Sequence, residues 1–587
     1  MKSFQKNTSG SLNIIFVLIC VPLLAAIAYA IDVSNMLRQR EEVQTALDAA
    51  SVASAKVALS MRADELDDYG QRMFQANIHS LAASEVSVKT ELNPAGAAGI
   101  LRVSGTFNYD PFLLGALSNL VGRSGSTPIS LTSDVKLSGK VEVAMVIDNS
   151  FSMIFTGGGT SIDRIETVRR ASQKTVTALA LQEDTKVALV PFASTVNIGS
   201  QNRSAPWIDS SGIAPTHHEN FDWAGSFPGD PATCDKCVEK IGNIWFARGK
   251  DWDTQQDKPL TRFQLFDAVS VPWGGCVEAR PAPYTVGMQP AQASQDASGT
   301  IMGDPHSLFV PMFAVDEIGS GAETNDWWNK NATSGTDRER QANVERYFSG
   351  TPSTIPNGKG PNFDCTVQSV IPLTDVSDAA NLKMMQDAIK KMTPVGDTNV
   401  GDAIAWGLRI LTPGEPFDET ESGRLAVRRY MIILTDGANT YNVSSNTAGT
   451  VSRYGAHGYV KPFDTAQQNR IFMGTGVTPG TSEKSFSDAL DSNMKKACDE
   501  AKSDGIILIT LALDLDSNDV EEHQQISLLQ ECASPDAFNR STPSNGTAPL
   551  SNDRPDPEKL FWNISSDQLE EVLAQITSDF KSMYISR

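Results

Sequence analysis

The spacing of hydrophobic and polar positions divides the chain into three regions. The first is a nearly continuous apolar run over residues 12–31, which follows Lys2 and Lys6. About twenty helical residues, at about 1.5 Å each, span a hydrocarbon core of roughly 30 Å, and lysines before the run favour a cytoplasmic N-terminus. This pattern predicts a transmembrane helix over residues 12–33, with residues 1–11 in the cytoplasm.

A cleaved secretory signal is the alternative, since the sequence AYA at 28–30 fits a signal-peptidase site. The apolar run is longer than a usual signal core, however, and apolar positions continue at helical spacing to about Leu59. We therefore expect a retained anchor that continues into a helical stem over 34–84. This stem either packs against partner helices or holds the body of the protein away from the membrane.

The second region, residues 85–139, alternates apolar and polar positions in short segments at 86–88, 100–107 and 129–137. Alternation with a period of two is typical of strands with one buried face. Glycine-containing stretches between the segments indicate turns. We predict a small β-rich region between the stem and the rest of the chain.

From residue 140 to residue 587, apolar strands alternate with helices. The strands are predicted at 141–148, 186–192, 429–436, 506–513 and 560–564, and the helices at 164–181, 379–392, 400–411, 486–505, 523–533 and 566–584. This alternation predicts an α/β fold with a doubly wound, mostly parallel sheet that is covered on both faces. Two insertions, at about 200–375 and 437–485, interrupt the domain.

Polar side chains follow two of these strands at the point where each strand ends. Asp148, Ser150 and Ser152 alternate after the first strand, Asp436 follows another, and Thr398 lies in a turn that opens a helix. In such sheets, ligands bind at the carboxyl ends of the strands. All five groups are hard oxygen donors, which suit Mg²⁺ or Mn²⁺. Helix capping explains such residues in one loop but not in three.

The Asp-x-Ser-x-Ser sequence at 148–152, the loop of Thr398 and the sequence LTDG at 434–437 resemble the metal-ion-dependent adhesion site of von Willebrand factor A domains. The resemblance implies a von Willebrand A, Rossmann-like fold. It also implies that the hydroxyls ligate Mg²⁺, Mn²⁺ or Ca²⁺, while the two aspartates act directly or through water. A glutamate or aspartate of a protein partner would complete the shell.

Residues 9–58 resemble the N-terminal region of TadG-like Flp pilus-assembly proteins, as do the sequences GGCVEARP (274–281) and ACDEAKSDGI (497–506). The resemblance implies a single-pass protein of the bacterial inner membrane, with a cytoplasmic N-terminus and a periplasmic body. It also implies pilus or pilus-assembly components as partners. Ile15 stands five residues after Gly10, where a prepilin-type site has glutamate, so processing as a pseudopilin is not expected.

Six cysteines follow the membrane segment, and this even number favours disulfides in an oxidising compartment over free buried thiols. The candidates are Cys276 and Cys365, which would close the larger insertion, Cys498 and Cys532, which would bridge two helices, and Cys234 and Cys237 in a C-x-x-C sequence. His217 and His218 are also in this insertion, but their spacing fits no zinc template.

The larger insertion contains seven of the nine tryptophans. They are Trp207, Trp223, Trp245, Trp252, Trp273, Trp327 and Trp328. Rigid aromatic residues at the ligand edge of a sheet are typical of a recognition surface. The same residues are equally suited to a small core of the insertion itself, and both interpretations stand.

Charge and motifs together limit the classes of function and of partner that fit this chain. The net charge of −21 disfavours nucleic acid and anionic lipid as partners. We predict a membrane-anchored, non-enzymatic binding module that captures an acidic group of a protein partner through a divalent cation, in pilus assembly or anchoring. A secreted metal-dependent adhesin is one alternative. A metal-dependent hydrolase is another, but it needs a base or second metal that the three loops do not visibly supply.

Overall fold

The chain divides into two units, one built from the described residues up to Lys136 and the other from those between Lys140 and Lys581. The structure is a computed structural model. It describes residues 9–57, 63–79, 85–92, 100–111, 113, 126–136, 140–182, 184–319, 324–328, 334–350, 352, 354–365, 367–420, 427–535 and 559–581.

The smaller unit combines two helices with an antiparallel sheet. Its elements are α1 (Ser9–Val57), α2 (Ala63–Asn77), β1 (Val86–Leu92), β2 (Ile100–Tyr109) and β3 (Thr127–Lys136). The strands pair in the order β1–β2–β3, so the three alternating segments form one sheet. Alternate residues of β2 are buried, as expected for a strand with one face against the core.

The C-terminal half of α1 belongs to the core of this unit. Val43 and Leu47 of α1 are fully buried and cluster with Phe74 of α2. The Tyr109 hydroxyl of β2 also donates a hydrogen bond to the backbone carbonyl of Asp32, at 2.6 Å. The C-terminal half of α1 therefore packs against α2 and the sheet of its own chain, an arrangement that neither interpretation of the stem anticipates.

The N-terminal half of α1 has the character of a membrane span. Within the described residues, one helix is long and apolar enough to cross a membrane, judged by length and composition, and the qualifying segment is Leu18–Ala55. Leu18 and Leu24 are 71% and 63% exposed, which suits contact with lipid. The helix continues without a break through residues 28–30, where a signal peptide would be cut.

The larger unit is an α/β domain with added hairpins. Its strands are β4 (Val141–Asp148), β5 (Thr185–Phe192), β6 (Cys237–Ile241), β7 (Ile244–Arg248), β8 (Ala293–Gln295), β9 (Ile301–Gly303), β10 (Ile371–Asp375), β11 (Arg428–Thr435), β12 (Ile507–Leu513) and β13 (Phe561–Ile564). Its helices are α3 (Arg164–Leu179), α4 (Trp223–Ser226), α5 (Arg262–Ala268), α6 (Asp337–Ala342), α7 (Ala379–Lys391), α8 (Val400–Leu411), α9 (Glu483–Ser503), α10 (Val520–Cys532) and α11 (Leu569–Lys581).

The central sheet is mixed. Its six strands lie in the order β10–β5–β4–β11–β12–β13, and only the β10–β5 pair is antiparallel among the described strands of this sheet. The hydrophobic pattern does not reveal β10, because five residues that include Pro372 give a weak signal. Proline lacks a backbone donor and is tolerated at the edge of a sheet, where β10 lies.

Both faces of this sheet are covered. Every residue of β4 after Val141 is buried, and successive side chains of a strand point to opposite faces. Helices α8, α9 and α10 pack in sequence, α8 against α9 and α9 against α10, while α3 packs against α7 and α11. The doubly wound arrangement of these helices stays a prediction.

The tryptophans of the larger insertion are core residues. Six of the seven are at most 4% exposed, and Trp245 is half-buried. Their cluster also contains Val146 of β4 and Ile433 of β11. The interpretation as a recognition surface is therefore wrong for these six side chains. The aromatic residues of the insertion are core residues, and their cluster is continuous with the core of the sheet.

Three disulfides join the six cysteines that follow the membrane segment. They are Cys234–Cys237, Cys276–Cys365 and Cys498–Cys532. The second closes about half of the larger insertion, and the third connects α9 to α10. The predicted disulfides are therefore present. The six cysteines pair in sequence order, the first with the second, the third with the fourth and the fifth with the sixth.

We expect the Cys276–Cys365 disulfide to contribute more to the stability of the larger unit than the Cys234–Cys237 disulfide does. It closes a loop of 89 residues, so replacing both cysteines by serine should lower the free energy of unfolding by about 4 kcal/mol. All nine tryptophans lie between residues 207 and 562. Tryptophan fluorescence during urea unfolding of the full chain in a polyoxyethylene detergent therefore reports on this unit alone.

The Cys234→Ser/Cys237→Ser double variant is the matched control. Its disulfide joins residues only three apart, so the loss should be about 2 kcal/mol or less. Equal losses in the two double variants would contradict the expected dependence on loop length.

Candidate metal centre

Three loops meet at the edge of the sheet where β4 and β11 end. The first loop follows β4, the second precedes α8, and the third follows β11. The backbone carbonyl of Asn149 accepts from the Val395 N–H at 2.9 Å, and the Phe151 N–H donates to the Gly396 carbonyl at 3.0 Å. These two bonds fix the first loop directly against the second.

The five candidate ligands converge at this edge. Ser150 Oγ lies 3.0 Å from Ser152 Oγ, and the Ser152 hydroxyl donates to Asp436 Oδ1 at 2.6 Å. The Ser150 N–H donates to Asp148 Oδ1 at 2.7 Å. A methyl group placed on Gly437, which follows Asp436, would lie 3.8 Å from both Ser152 Oγ and the Thr398 hydroxyl oxygen. The structure thus brings all five predicted residues together.

Burial makes the negative charges of the two carboxylates at this edge energetically unfavourable. The side chains of Asp148 and Asp436 are almost inaccessible to water. Burial and the neighbouring Asp436 carboxylate raise the pKa of Asp148 to about 7. Burial also raises the pKa of Asp436, while hydrogen bonds from Ser152 and Arg164 act in the opposite direction. A divalent cation would relieve this repulsion, and the hard oxygen donors present fit Mg²⁺ or Mn²⁺.

Two residues that the sequence analysis does not select hold these carboxylates. The Thr435 hydroxyl donates to Asp148 Oδ2 at 2.6 Å. Arg164, the first residue of α3, donates to Asp436 Oδ2 at 2.9 Å and to Asp514 Oδ2 at 3.1 Å. Thr435 precedes Asp436 in the sequence and could have been suspected for that reason. Arg164 gives no such signal, because its two partners follow β11 and β12, far from it in the sequence.

An apolar surface borders the candidate ligands. Phe151, Ile154 and Phe155 are 56%, 40% and 55% exposed, and the two phenylalanine rings meet edge to face. All three lie in or next to the short helical turn Phe151–Ile154, which contains the candidate ligand Ser152. Large apolar side chains exposed together at a binding edge are typical of an interaction site. We call these three residues the rim patch.

The adjacent histidines of the larger insertion, His217 and His218, are occupied by contacts within the insertion. Both ring nitrogens of His217 and of His218 contact polar groups of the insertion, so neither side chain offers a nitrogen to a metal. In the part of the chain that the structure describes, no three His, Cys, Asp or Glu residues form a group that could hold a metal ion. A cation at the sheet edge would therefore depend on hydroxyl ligands as well as on the two carboxylates.

The N-terminal segment is similar to a known protein family. Residues 10–57 match the family model described as "Putative Flp pilus-assembly TadE/G-like". This match confirms the resemblance of the N-terminal segment to the Tad family, and it covers α1 almost completely. A comparison with curated proteins found no match.

The larger part of the chain is similar to several solved structures at low sequence identity. The pilus adhesin SpaC from Lactobacillus rhamnosus GG is 11% identical, with a TM-score of 0.31, over 85% of this chain and 35% of SpaC. The vWF domain of the type V pili tip protein Mfa5 from Porphyromonas gingivalis is 10% identical, with a TM-score of 0.29, over 76% of this chain and 97% of that domain. A von Willebrand factor type A protein from Catenulispora acidiphila is 8% identical, with a TM-score of 0.26, over 84% and 49%.

The chain thus spans about a third of the length of SpaC.

We expect Arg164→Gln to destabilise the larger unit. Arg164 is the charged partner of two nearly inaccessible carboxylates, Asp436 and Asp514. Removing one member of a buried ion pair typically costs about 3 kcal/mol or more, so the free energy of unfolding should fall by about 3 kcal/mol. Tryptophan fluorescence during urea unfolding measures this change.

Arg170→Gln provides a control on the same helix. Arg170 pairs with Glu166 on the surface, with 58% of its side chain exposed. Exposed pairs one helical turn apart contribute about 0.5 kcal/mol or less. An equal loss of unfolding free energy in both variants would show that the ion pairs of Arg164 stabilise the unit no more than an exposed pair does.

Proposed function

We propose that the protein is a membrane-anchored binding module that captures an acidic side chain of a protein partner through a divalent cation. The observation that carries this proposal is the convergence of five oxygen donors from three loops at the carboxyl edge of the sheet. Two of the donors are buried carboxylates that a cation would neutralise. The sequence around them resembles the adhesion-type metal site of von Willebrand A domains.

Each residue of the centre has a role in this proposal. The hydroxyls of Ser150, Ser152 and Thr398 would be direct ligands, and Asp148 and Asp436 would balance the charge directly or through water. Thr435 and the Ser150 N–H hold the Asp148 carboxylate in place. A bound Mg²⁺ or Mn²⁺ would supply an open coordination site for one partner carboxylate.

The rim patch suggests what lies next to that carboxylate. Phe151 lies between Ser150 and Ser152, Phe155 follows the same loop, and both remain about half exposed. A partner residue beside the captured acid would cover them, and burial of apolar area at this edge would add to the affinity. We infer that the acidic residue is flanked by apolar side chains.

The proposed location is the outer side of a bacterial inner membrane. The Tad-family match covers α1, and α1 is long and apolar enough to span a bilayer. Three disulfides in the larger unit are typical of an oxidising compartment such as the periplasm. These features support a role in the assembly or anchoring of Flp pili, with pilus components as partners.

The metal site is tested by Mg²⁺ and Mn²⁺ titration calorimetry on the full chain in a polyoxyethylene detergent. We expect one site per chain in the wild type. Asp148→Asn removes a charge from the centre while keeping its size, so the affinity should fall at least about tenfold, equivalent to about 1.4 kcal/mol. Asp387→Asn, an exposed change on α7, should bind as the wild type does. Equal binding by the wild type and Asp148→Asn would refute the centre.

The partner chemistry is tested with two short peptides at saturating Mn²⁺, one with a Leu-Glu-Leu sequence and one with Ser-Glu-Ser. We expect the Leu-Glu-Leu peptide to bind about tenfold more tightly, because its leucines cover the rim patch. In Phe151→Ser/Phe155→Ser this preference should disappear while Mn²⁺ affinity is retained. A preference that survives in the double variant would show that the rim patch does not contact the partner.

A further inference from the structure

A cleft opens between the two insertions of the larger unit. Its volume is about 440 Å³, which falls in the range of small-molecule sites. One wall comes from residues 215–245 of the larger insertion and the other from residues 463–467 of the smaller one. The side chains that we consider as contacts for a ligand are Asp222, Lys240, Trp245, Phe463, Asp464 and Gln467. None of them belongs to the candidate metal centre.

Buried ion pairs hold the two walls together. Arg470 of the smaller insertion donates to Glu219 at 2.7 Å and to Glu278 at 2.8 Å, both in the larger insertion. Arg262 donates to the same Glu278 at 2.5 Å, and all four side chains are buried. The Asp464 N–H also donates to the Glu219 carbonyl at 2.7 Å. The cleft is therefore preformed, which lowers the entropy cost of binding a ligand.

The polar groups of the cleft are only partly used by the protein. Asp222 accepts through Oδ1 from the Gly225 N–H, and Asp464 accepts through Oδ1 from the Ala466 N–H, both at 2.9 Å. Within the described residues, the Oδ2 atom of each makes no hydrogen bond. Across the same residues, Lys240 forms no ion pair and the Gln467 amide no hydrogen bond. The cleft therefore offers both donors and acceptors to a ligand.

The aromatic groups of the cleft add apolar surface. Trp245 and Phe463 are half-buried and line the cleft. The Lys240 ammonium nitrogen lies over the Trp245 ring, 5.5 Å from its centre, so a donor stands at one face of this ring. Such a wall suits a ligand that presents one apolar side and several hydroxyl groups.

We propose that this cleft binds a neutral sugar ring, a pyranose with several free hydroxyl groups. The cleft holds two carboxylates, of Asp222 and Asp464, and the Lys240 ammonium group, so it disfavours an anion, and the hydroxyls of a neutral ligand can donate to the carboxylates and accept from Lys240. The C–H side of a pyranose packs against an aromatic ring, and its hydroxyls pair with carboxylate, amide and ammonium groups. This site would act on its own, independently of the cation-dependent capture proposed above.

The test is saturation-transfer NMR on the full chain in a polyoxyethylene detergent, which contains no sugar. The probes are the methyl α-pyranosides of glucose, galactose and mannose, each at about 10 mM, which is ten times a Kd of about 1 mM. Choline and inorganic phosphate serve as cationic and anionic probes. We expect transfer to at least one pyranoside and none to choline. Titration followed by protein NMR should show no binding of phosphate.

Variants assign the binding to the cleft. We expect Trp245→Ala to weaken pyranoside binding at least tenfold. Tyr284→Ala, which removes an aromatic side chain of the same insertion outside the cleft, should leave it unchanged. Asp464→Ala alters an exposed side chain, so it should reduce binding without affecting folding even if Trp245→Ala is unstable.

Three outcomes would overturn the proposal. The first is the absence of transfer to all three pyranosides. The second is binding of choline or phosphate in their place. The third is pyranoside binding that persists in Asp464→Ala and in a folded Trp245→Ala, which would place the sugar elsewhere on the protein.

Discussion

The parallel pairing of β4 with β11 is the constraint on which the site depends. The register pairs Ile147 with Leu434, so the next residues, Asp148 and Thr435, lie opposite each other and are joined by a hydrogen bond. Asp436 follows one position later. A shift of one residue would turn these side chains to the other face of the sheet. The close packing of the buried residues of both strands opposes such a shift, and the core thereby sets the positions of two like charges.

Much of this architecture could be predicted from the sequence, because strands buried on both faces leave continuous apolar runs. The predicted strand at 506–513 corresponds to Ile507–Leu513, and the predicted helix at 164–181 to Arg164–Leu179. The five candidate ligands could also be named, since each occupies a recognisable position after a strand or before a helix. The structure places them together, while the binding of a metal stays a prediction.

The remaining features depend on contacts between distant parts of the chain. Arg164 and Asp436 are 272 positions apart, and no local pattern connects them. The burial of the tryptophans could not be inferred either, because an aromatic residue in an insertion has the same sequence signature whether it faces solvent or the core. The packing of the stem could not be inferred either, because its partners are the strands that follow it in the chain.

The location of β4 in the sheet has a mechanical consequence. The chain enters β4 at Val141 from the N-terminal unit and reaches the sheet edge at Asp148, with β5 on one side and β11 on the other. If the proposed partner is held at that edge and α1 is anchored in a membrane, a pull between them enters the larger unit through β4. Sliding this strand lengthwise requires both hydrogen-bond ladders to break together, whereas an edge strand can peel away one bond at a time. Tensile strength is therefore a property of this topology, whichever ligand is bound.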